Sequence, residues 1–241
     1  DAAIAAKNDH GVVGLHIEGP HISLPRRGTH NADFIRPMDD RTIAVVQRLR
    51  DANVRVMITL APEAVTATQI EKLAGLGAVV SIGHTDAVAE EVEAVIAAGA
   101  SCATHLFNAM SPMASRAAGA VGTVLNSDIY SGIICDGHHV DDRMVQLALR
   151  ARPVPDRLFL VSDAMATVGG PDAFDLYGQP VHLENGRLIN TEGNLAGAHI
   201  TQAEGVQRLV NKLGVTREHA LRMSISIPAQ AIGAPELAKM V

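Results

Sequence analysis

Carboxylate and imidazole side chains recur directly after short apolar runs in this sequence. Glu18, His84 and His105 each stand at the end of such a run. One carboxylate and two imidazoles that converge from neighbouring strands form a ligand set for a divalent first-row metal such as zinc. A site of this kind keeps one position open for water, whose pKa falls to about 7 on binding. The three residues therefore predict a metal centre of the hydrolytic type.

A fourth strand-end residue, Asp163, is suited to moving protons. It follows the apolar run of residues 158–161. A carboxylate beside an activated water takes that water's proton and later delivers it to a leaving amine. Taken singly, a histidine after a strand is more often structural, and Asp86 is more simply the N-cap of a helix. The recurrence of such residues at successive strand ends is what supports a site.

These side chains need parallel strands whose carboxyl ends meet at one edge, and the hydrophobic pattern predicts such strands. Apolar runs alternate with helical patterns, as expected for parallel strands buried on both faces. Six strands are predicted at 12–17, 54–60, 78–82, 101–104, 131–135 and 158–161, with helices at 40–50, 63–76, 86–98, 141–150, 201–212 and 216–223. This alternation indicates an open doubly wound sheet or a barrel, and a barrel places its chemistry at those strand ends.

The predicted organisation is a single domain over residues 1–241, because no repeat, low-complexity segment or linker interrupts it. Residues 174–194 depart from the alternation. Asn185-Gly186 between two strand-like runs predicts a β-hairpin insertion on the top face of the barrel. Six strands are two fewer than a closed eight-stranded barrel needs, so the expectation is a partial barrel.

Composition and charge exclude several classes of partner. The net charge is −6, with 19% charged residues and no basic stripe, so we expect no nucleic-acid partner. No apolar run approaches the roughly 20 residues that cross a bilayer, and no signal peptide opens the chain, so we expect no membrane association. Cys102 and Cys135 lie in apolar runs and are interpreted as buried free thiols, which favours the reducing cytoplasm.

Four sequence strings resemble the N-acetylglucosamine-6-phosphate deacetylase family, a branch of the amidohydrolase superfamily. They are Gly14-Leu15-His16-Ile17-Glu18-Gly19-Pro20, Ser81-Ile82-Gly83-His84-Thr85, Ala103-Thr104-His105-Leu106-Phe107-Asn108-Ala109-Met110 and Val161-Ser162-Asp163-Ala164. The third is highly specific, and the resemblance extends over residues 12–197. It implies an α/β fold, the (β/α)8 TIM-type barrel with a small β-sandwich. The six predicted strands correspond to family strands 3 to 8, so strands 1 and 2 and the sandwich are expected to be absent from this chain.

The same resemblance implies a role for each matching residue. Glu18, His84 and His105 would hold one divalent metal, with zinc favoured over iron, cobalt and manganese, and Asp163 would be the catalytic acid/base. The implied substrate contacts are His30 to the sugar, Asn108, Ala109, Arg116 and His139 to the phosphate, and Ala196 and Gly197 in a loop that closes on the sugar. An arginine and a loop of backbone amides suit a phosphate dianion. The implied assembly is a homodimer, with one phosphate contact presented across its interface.

The implied reaction is deacetylation of N-acetylglucosamine 6-phosphate to glucosamine 6-phosphate and acetate. A first alternative is another amidohydrolase that acts on a linear or cyclic amide, or a deaminase. Arg116 and His139 argue against it, because a neutral ring substrate needs no phosphate clamp. A second alternative is a non-catalytic phosphosugar-binding barrel, which the complete set of metal and acid/base positions disfavours. Departures from the family pattern at 198–200 and 227–229 leave fine specificity open, and the missing first strand leaves the metal count open.

Overall fold

A six-stranded parallel sheet and a separate three-stranded antiparallel sheet make up the computed structural model, which describes residues 1–240 and the side chains of residues 1–238. The strands are β1 Gly14–Glu18, β2 Arg55–Leu60, β3 Val79–Ile82, β4 Cys102–Ala103, β5 Tyr130–Ile133, β6 Leu158–Leu160, β7 Ala173–Leu176, β8 Gln179–Glu184 and β9 Arg187–Asn190. The α-helices are α1 Ala2–Ala5, α2 Asp40–Asp51, α3 Ala67–Gly75, α4 Ala89–Ala97, α5 Gly119–Leu125, α6 Asp142–Ala151, α7 Gln202–Asn211, α8 Arg217–Ser224 and α9 Ser226–Ala231. Short 3-10 helices lie at Leu24–Arg26, Ala32–Phe34, Pro62–Ala64 and Pro235–Met240.

The order of the parallel strands decides between the two architectures that the sequence allowed. Strands β1 to β6 pair consecutively, each with the next along the chain. A doubly wound sheet reverses its order at a switch point, whereas a barrel does not. The predicted α/β barrel fold is therefore confirmed, as a half-barrel. In the described residues no ladder returns from β6 to β1.

The core lies between the sheet and its outer helices. Ile58 and Ile82 in the strands are at most 1% exposed, and so are Val46 of α2 and Leu73 of α3. Each such side chain contributes about 1.5–3 kcal/mol through burial. The α3 helix begins where the sequence provides a cap, because Thr66 accepts a hydrogen bond from the N–H of Gln69.

Three helices, α1, α5 and α9, have no counterpart among the helices predicted from the sequence, and the starts predicted at residues 63 and 86 were too early. The α5 helix is buried along its whole length, so it lacks the polar face on which periodicity depends. In α9, Pro228 hides the pattern, although proline is tolerated in a first turn. The predicted N-cap role of Asp86 is wrong, because α4 begins after Val88 and Asp86 pairs with Arg26 at 2.8 Å.

The small sheet β7–β9 packs on its own cluster of apolar side chains. Val181, Leu188 and Ala196 are fully buried there. Asn185-Gly186 turns the chain between β8 and β9 with φ of 50° and 79°, as type I′ turns require. Tyr177 occupies the same left-handed region in the β7–β8 turn, a conformation that costs an aromatic residue energy.

No helix within residues 1–240 is long and apolar enough to pass through a bilayer.

Candidate metal centre and active site

Strand register brings the predicted metal ligands to one level. Glu18 is the last residue of β1. Ile82 of β3 pairs with Ala103 of β4, so His84 and His105, each two residues further on, emerge side by side. The three side chains therefore meet at the carboxyl edge of the sheet, where a barrel presents its reactive groups.

The three donor atoms converge on one point. Glu18 Oε1 lies 3.3 Å from His84 Nε2 and 3.1 Å from His105 Nε2, and the two imidazole Nε2 atoms are 3.1 Å apart. The three ligand atoms lie within 4.8 Å of one another. Both histidine side chains are less than 10% exposed and that of Glu18 is 26% exposed. Nitrogen and carboxylate oxygen in this arrangement match the donor set of a three-ligand catalytic zinc site.

Hydrogen bonding from the loop after β1 prepares His84 as a ligand. Its Nδ1 lies 2.8 Å from the carbonyl of Arg26, which can only accept, so Nδ1 carries the proton and Nε2 keeps its lone pair. The N–H of Ser23 donates to the His84 carbonyl at 2.8 Å. The Nδ1 of His105 is buried without a partner in the described part of the chain.

Mutual proximity shifts the titration of this group. Burial raises the pKa of Glu18, but hydrogen bonds with His105 and His84 outweigh it and hold that pKa well below its usual range. Burial lowers the pKa of His105, and Glu18 reverses the effect, so that the pKa of His105 is raised. The carboxylate is therefore ionised and ready to meet a cation.

Asp163 follows β6 and lines the same cavity as the three donors. Burial raises its pKa, opposed by His105 and reinforced by Glu18. Its carbonyl accepts a hydrogen bond from the N–H of Ala198 at 2.8 Å, which ties this strand end to the loop after β9. A carboxyl group whose neutral form is favoured in this way is suited to proton transfer.

Three of these residues share a strained backbone. His84, His105 and Asp163 have φ of 49°, 28° and 51°, in the left-handed region that residues with a side chain rarely adopt. Such strain costs of order 1–3 kcal/mol per residue and clusters at functional sites.

The cavity over these residues has a volume of about 430 Å³, which suits a small-molecule ligand. Its walls are formed by Glu18, Gly28, Thr29, His30, His84, His105, Asn108, Ala109, His139, Asp163, Met165, Leu176, Tyr177, Leu195 and Gly197. Of the substrate contacts expected from the sequence, it brings together His30, Asn108, Ala109, His139 and Gly197.

Two expected substrate contacts lie away from the cavity wall. Ala196 is fully buried against Val181 and Leu188, so its side chain faces the small sheet rather than the cavity. Arg116 is exposed on the loop of residues 111–118 and does not line the cavity of its own chain. Ala114 and Ala117 exchange two backbone hydrogen bonds, of 2.8 and 3.3 Å, which close a tight turn around Arg116.

The neighbouring Gly197 has a clear steric reason to be glycine. Its φ is 75°, and a Cβ there would lie 2.4 Å from Cγ of Met165. The loop can close beside Asp163 only without a side chain at this position.

Six wall residues were not among the predicted site residues, namely Gly28, Thr29, Met165, Leu176, Tyr177 and Leu195. Met165 lies two positions after Asp163 and could have been found from that motif. Leu176 and Tyr177 reach the cavity through the packing of the small sheet, which leaves no local signal.

Comparison with known proteins gives relatives that are named as deacetylases of phosphorylated amino sugars. No family model matches the chain. An N-acetylglucosamine-6-phosphate deacetylase from Haemophilus influenzae is 35% identical over 231 residues, covering 94% of this chain and 60% of that protein. An N-acetylgalactosamine-6-phosphate deacetylase from a Shewanella species is 39% identical over 229 residues, covering 94% and 57%. The chain thus spans about three fifths of the length of these curated relatives.

Solved structures agree with the sequence comparison. The crystal structure of N-acetylglucosamine-6-phosphate deacetylase from Pasteurella multocida superposes with a TM-score of 0.89 at 38% identity, covering 96% of this chain and 61% of that one. A Mycobacterium smegmatis deacetylase variant in complex with N-acetyl-D-glucosamine-6-phosphate gives a TM-score of 0.86 at 31% identity, covering 96% and 62%.

Proposed function

Because this chain resembles the N-acetylglucosamine-6-phosphate deacetylases in sequence and in fold, we propose that it removes the acetyl group from N-acetylglucosamine 6-phosphate. The observation that carries the proposal is the convergence of Glu18, His84 and His105 beside Asp163 at the floor of one cavity. The products are glucosamine 6-phosphate and acetate.

The donor set fits a divalent metal, and we propose zinc, with one ion per chain. Glu18, His84 and His105 would hold it, because one ionised carboxylate and one imidazole with a fixed free Nε2 already face each other there. When bound, such a metal polarises an amide carbonyl and a water molecule. Iron, cobalt and manganese share the same ligand preferences closely enough to be tested beside zinc.

Asp163 is proposed as the acid and base of the reaction. As a carboxylate it takes the proton of the attacking water, and as a carboxylic acid it delivers that proton to the departing amine. The buried environment that raises its pKa assists the second step, because it favours the protonated form. General catalysis of this kind contributes about 10²–10⁴-fold to rate.

The polar wall opposite the small sheet is proposed to bind the phosphorylated sugar. His30 lies at 4.8 Å from His84, ring centre to ring centre, and is placed to contact the sugar. Asn108, Ala109 and His139 form the part of the wall that would receive the phosphate. The carbonyl of Ala109 accepts a hydrogen bond from Thr85 at 2.9 Å, which fixes this loop.

Assembly and location complete the proposal. Arg116 is exposed and does not line the cavity of its own chain, so its role in phosphate binding requires a second copy, and we propose a homodimer that presents Arg116 to the neighbouring site. Cys102 and Cys135 are free and buried, which is compatible with a reducing cytoplasm.

A second candidate substrate is the C4 epimer, N-acetylgalactosamine 6-phosphate. The observation that favours it is the Shewanella relative of that name, which is 39% identical to this chain. The two substrates share the amide and the phosphate, so the same reacting groups would serve both.

The test is metal content together with acetate release from both phosphosugars and from unphosphorylated N-acetylglucosamine. About one metal per chain, with release from a phosphosugar alone, supports the proposal. Metal without release from any of them favours another amidohydrolase, and phosphosugar binding by metal-free protein without release favours a non-catalytic barrel. The ratio of kcat/KM for the two epimers then selects the substrate.

A further inference from the structure

A buried carboxylate stands directly behind His139, which lines the cavity. His139 Nδ1 lies 2.6 Å from Asp136 Oδ2, and the two side chains are only 6% and 5% exposed. Asp136 itself does not line the main cavity. It therefore touches the site only through His139.

The hydrogen bonds around Asp136 determine which ring nitrogen carries the proton. Its Oδ1 accepts the N–H groups of His138 and His139, both at 2.8 Å. Burial raises the pKa of Asp136, but the bonds from the His139 side chain and from these backbone groups lower it to about 2. An ionised carboxylate can only accept, so Nδ1 of His139 must donate. Its Nε2 is then the ring nitrogen left for the cavity.

The turn that carries the pair is held rigidly from outside. Gly137 has a φ of 81°, and a Cβ there would lie 2.2 Å from Nη2 of Arg208. Arg208 is fixed in turn by two hydrogen bonds to Asp142, at 2.8 and 3.0 Å. Arg208 of α7 thus packs directly against the turn that carries the pair.

We propose that Asp136 is a positioning residue, which accepts the Nδ1–H of His139 and supports the doubly protonated ring, so that Nε2–H donates to the phosphate end of the substrate. The inference rests on the proposed function, in which His139 meets the phosphate. The anionic partner stabilises a ring that donates from both nitrogens when a phosphate oxygen arrives.

The alternative is that Asp136 only stabilises its own turn, through the hydrogen bonds from the N–H groups of His138 and His139. The D136N variant distinguishes this structural role from the positioning role. An asparagine oxygen can still accept from the N–H groups of His138 and His139. Its amide N–H, however, faces Nδ1 and favours the ring protonated on Nε2. The substitution therefore keeps the hydrogen bonds to the backbone of the turn and changes which nitrogen of the His139 ring carries the proton.

The experiment compares D136N with D141N, a matched control that removes a charge from an exposed N-cap five residues away. Nitrogen-15 NMR of the histidine rings reports the protonated nitrogen of His139. Steady-state kinetics report KM and kcat for N-acetylglucosamine 6-phosphate. We expect D136N to leave a neutral ring protonated on Nε2 alone, which loses the charge-assisted hydrogen bond to phosphate, and so to raise KM about tenfold, with kcat changed less than about threefold. D141N should match the wild type.

A second variant guards against a purely structural effect. In an H139N background, D136N should raise KM no further, because the residue acts through the ring. The inference is overturned if D136N keeps Nδ1 protonated with unchanged KM, or if kcat and the melting temperature fall while KM stays constant. If the wild type releases no acetate, the proposed function fails. The NMR comparison then decides by itself whether Asp136 determines the protonated nitrogen of His139.

Discussion

Two regions enclose the same cavity, and they are built in different ways. The carboxyl edge of β1–β6 holds Glu18, His84 and His105 within about one hydrogen-bond length, on strands whose register is set by a large core. The β7–β9 sheet provides Leu176 and Tyr177 from a three-stranded layer with only a small cluster of its own. The proposed metal ligands, whose positions must be precise, lie on the sheet with the large core. The residues that only need to contact a ligand lie on the small sheet.

The side-chain contacts between the two regions lie partly in solvent. Arg27 reaches both carboxylate oxygens of Glu192 at 2.9 Å, with its own side chain 29% and that of Glu192 50% exposed. Phe34 meets Tyr177 edge to face at 6.4 Å between ring centres. An exposed ion pair contributes about 0–1 kcal/mol, so it adds little to the backbone hydrogen bond from Ala198 to Asp163 that also joins the two regions.

The largest effect should come from the proton-transfer residue at the edge of the sheet with the large core. D163N removes the acid/base without removing a metal ligand, and we expect turnover to fall about 10³-fold while metal content stays near the wild-type value. Acetate release and metal analysis measure the two quantities. D175N, the same change on an exposed residue of β7, should keep full activity. Near-normal turnover by D163N would remove Asp163 from the mechanism.

Loss of a ligand should act on metal affinity instead. H84N removes one of three donors, and we expect metal affinity to fall by at least about a hundredfold, more than for loss of a supporting residue. Titration of the metal-free protein with zinc measures this. The control is H182N on β8, whose side chain is 53% exposed. Equal affinity in H84N and H182N would contradict the metal site.

Core truncation should separate the two regions in stability. I58A in β2 deletes a fully buried side chain of the large core, and we expect it to lower the free energy of unfolding by about 2–5 kcal/mol. L188A in β9 deletes an equally buried side chain of the small sheet. It should raise KM and speed proteolysis near residues 173–190 with a smaller loss in global melting. Equal global losses would show that the two regions unfold together.

The smallest effect should come from the ion pair between the two regions. E192Q leaves the Arg27 guanidinium without its charged partner, and we expect a rise in KM of about twofold to fivefold with unchanged kcat, since the pair contributes at most about 1 kcal/mol. The effect should shrink as ionic strength rises. A loss in kcat would mean that the small sheet positions reacting groups.

The contrast between the regions also marks what the sequence could predict. Apolar runs and the polar residues after them predicted β1–β6 and the four residues proposed to hold the metal and move protons, because both follow from the local pattern around each strand end. The wall residue Tyr177 could not be predicted, because it depends on how a second sheet packs. Asp86 was misassigned as a cap because its partner, Arg26, is 60 residues away. The local sequence pattern predicts which residues follow a strand. It does not predict which residues of other elements pack against them, because that depends on tertiary structure.

The spacing of the ligands along the chain has a consequence for the order of folding. Glu18 and His105 meet although 87 residues separate them, and closing a loop of that size costs about 4 kcal/mol of chain entropy before any contact is gained. The strands between them must therefore be paired before the three donors face each other. A partly folded chain therefore has no preformed metal site. Metal binding should follow the pairing of β1 to β4, and the time course of metal binding would report when that pairing is complete.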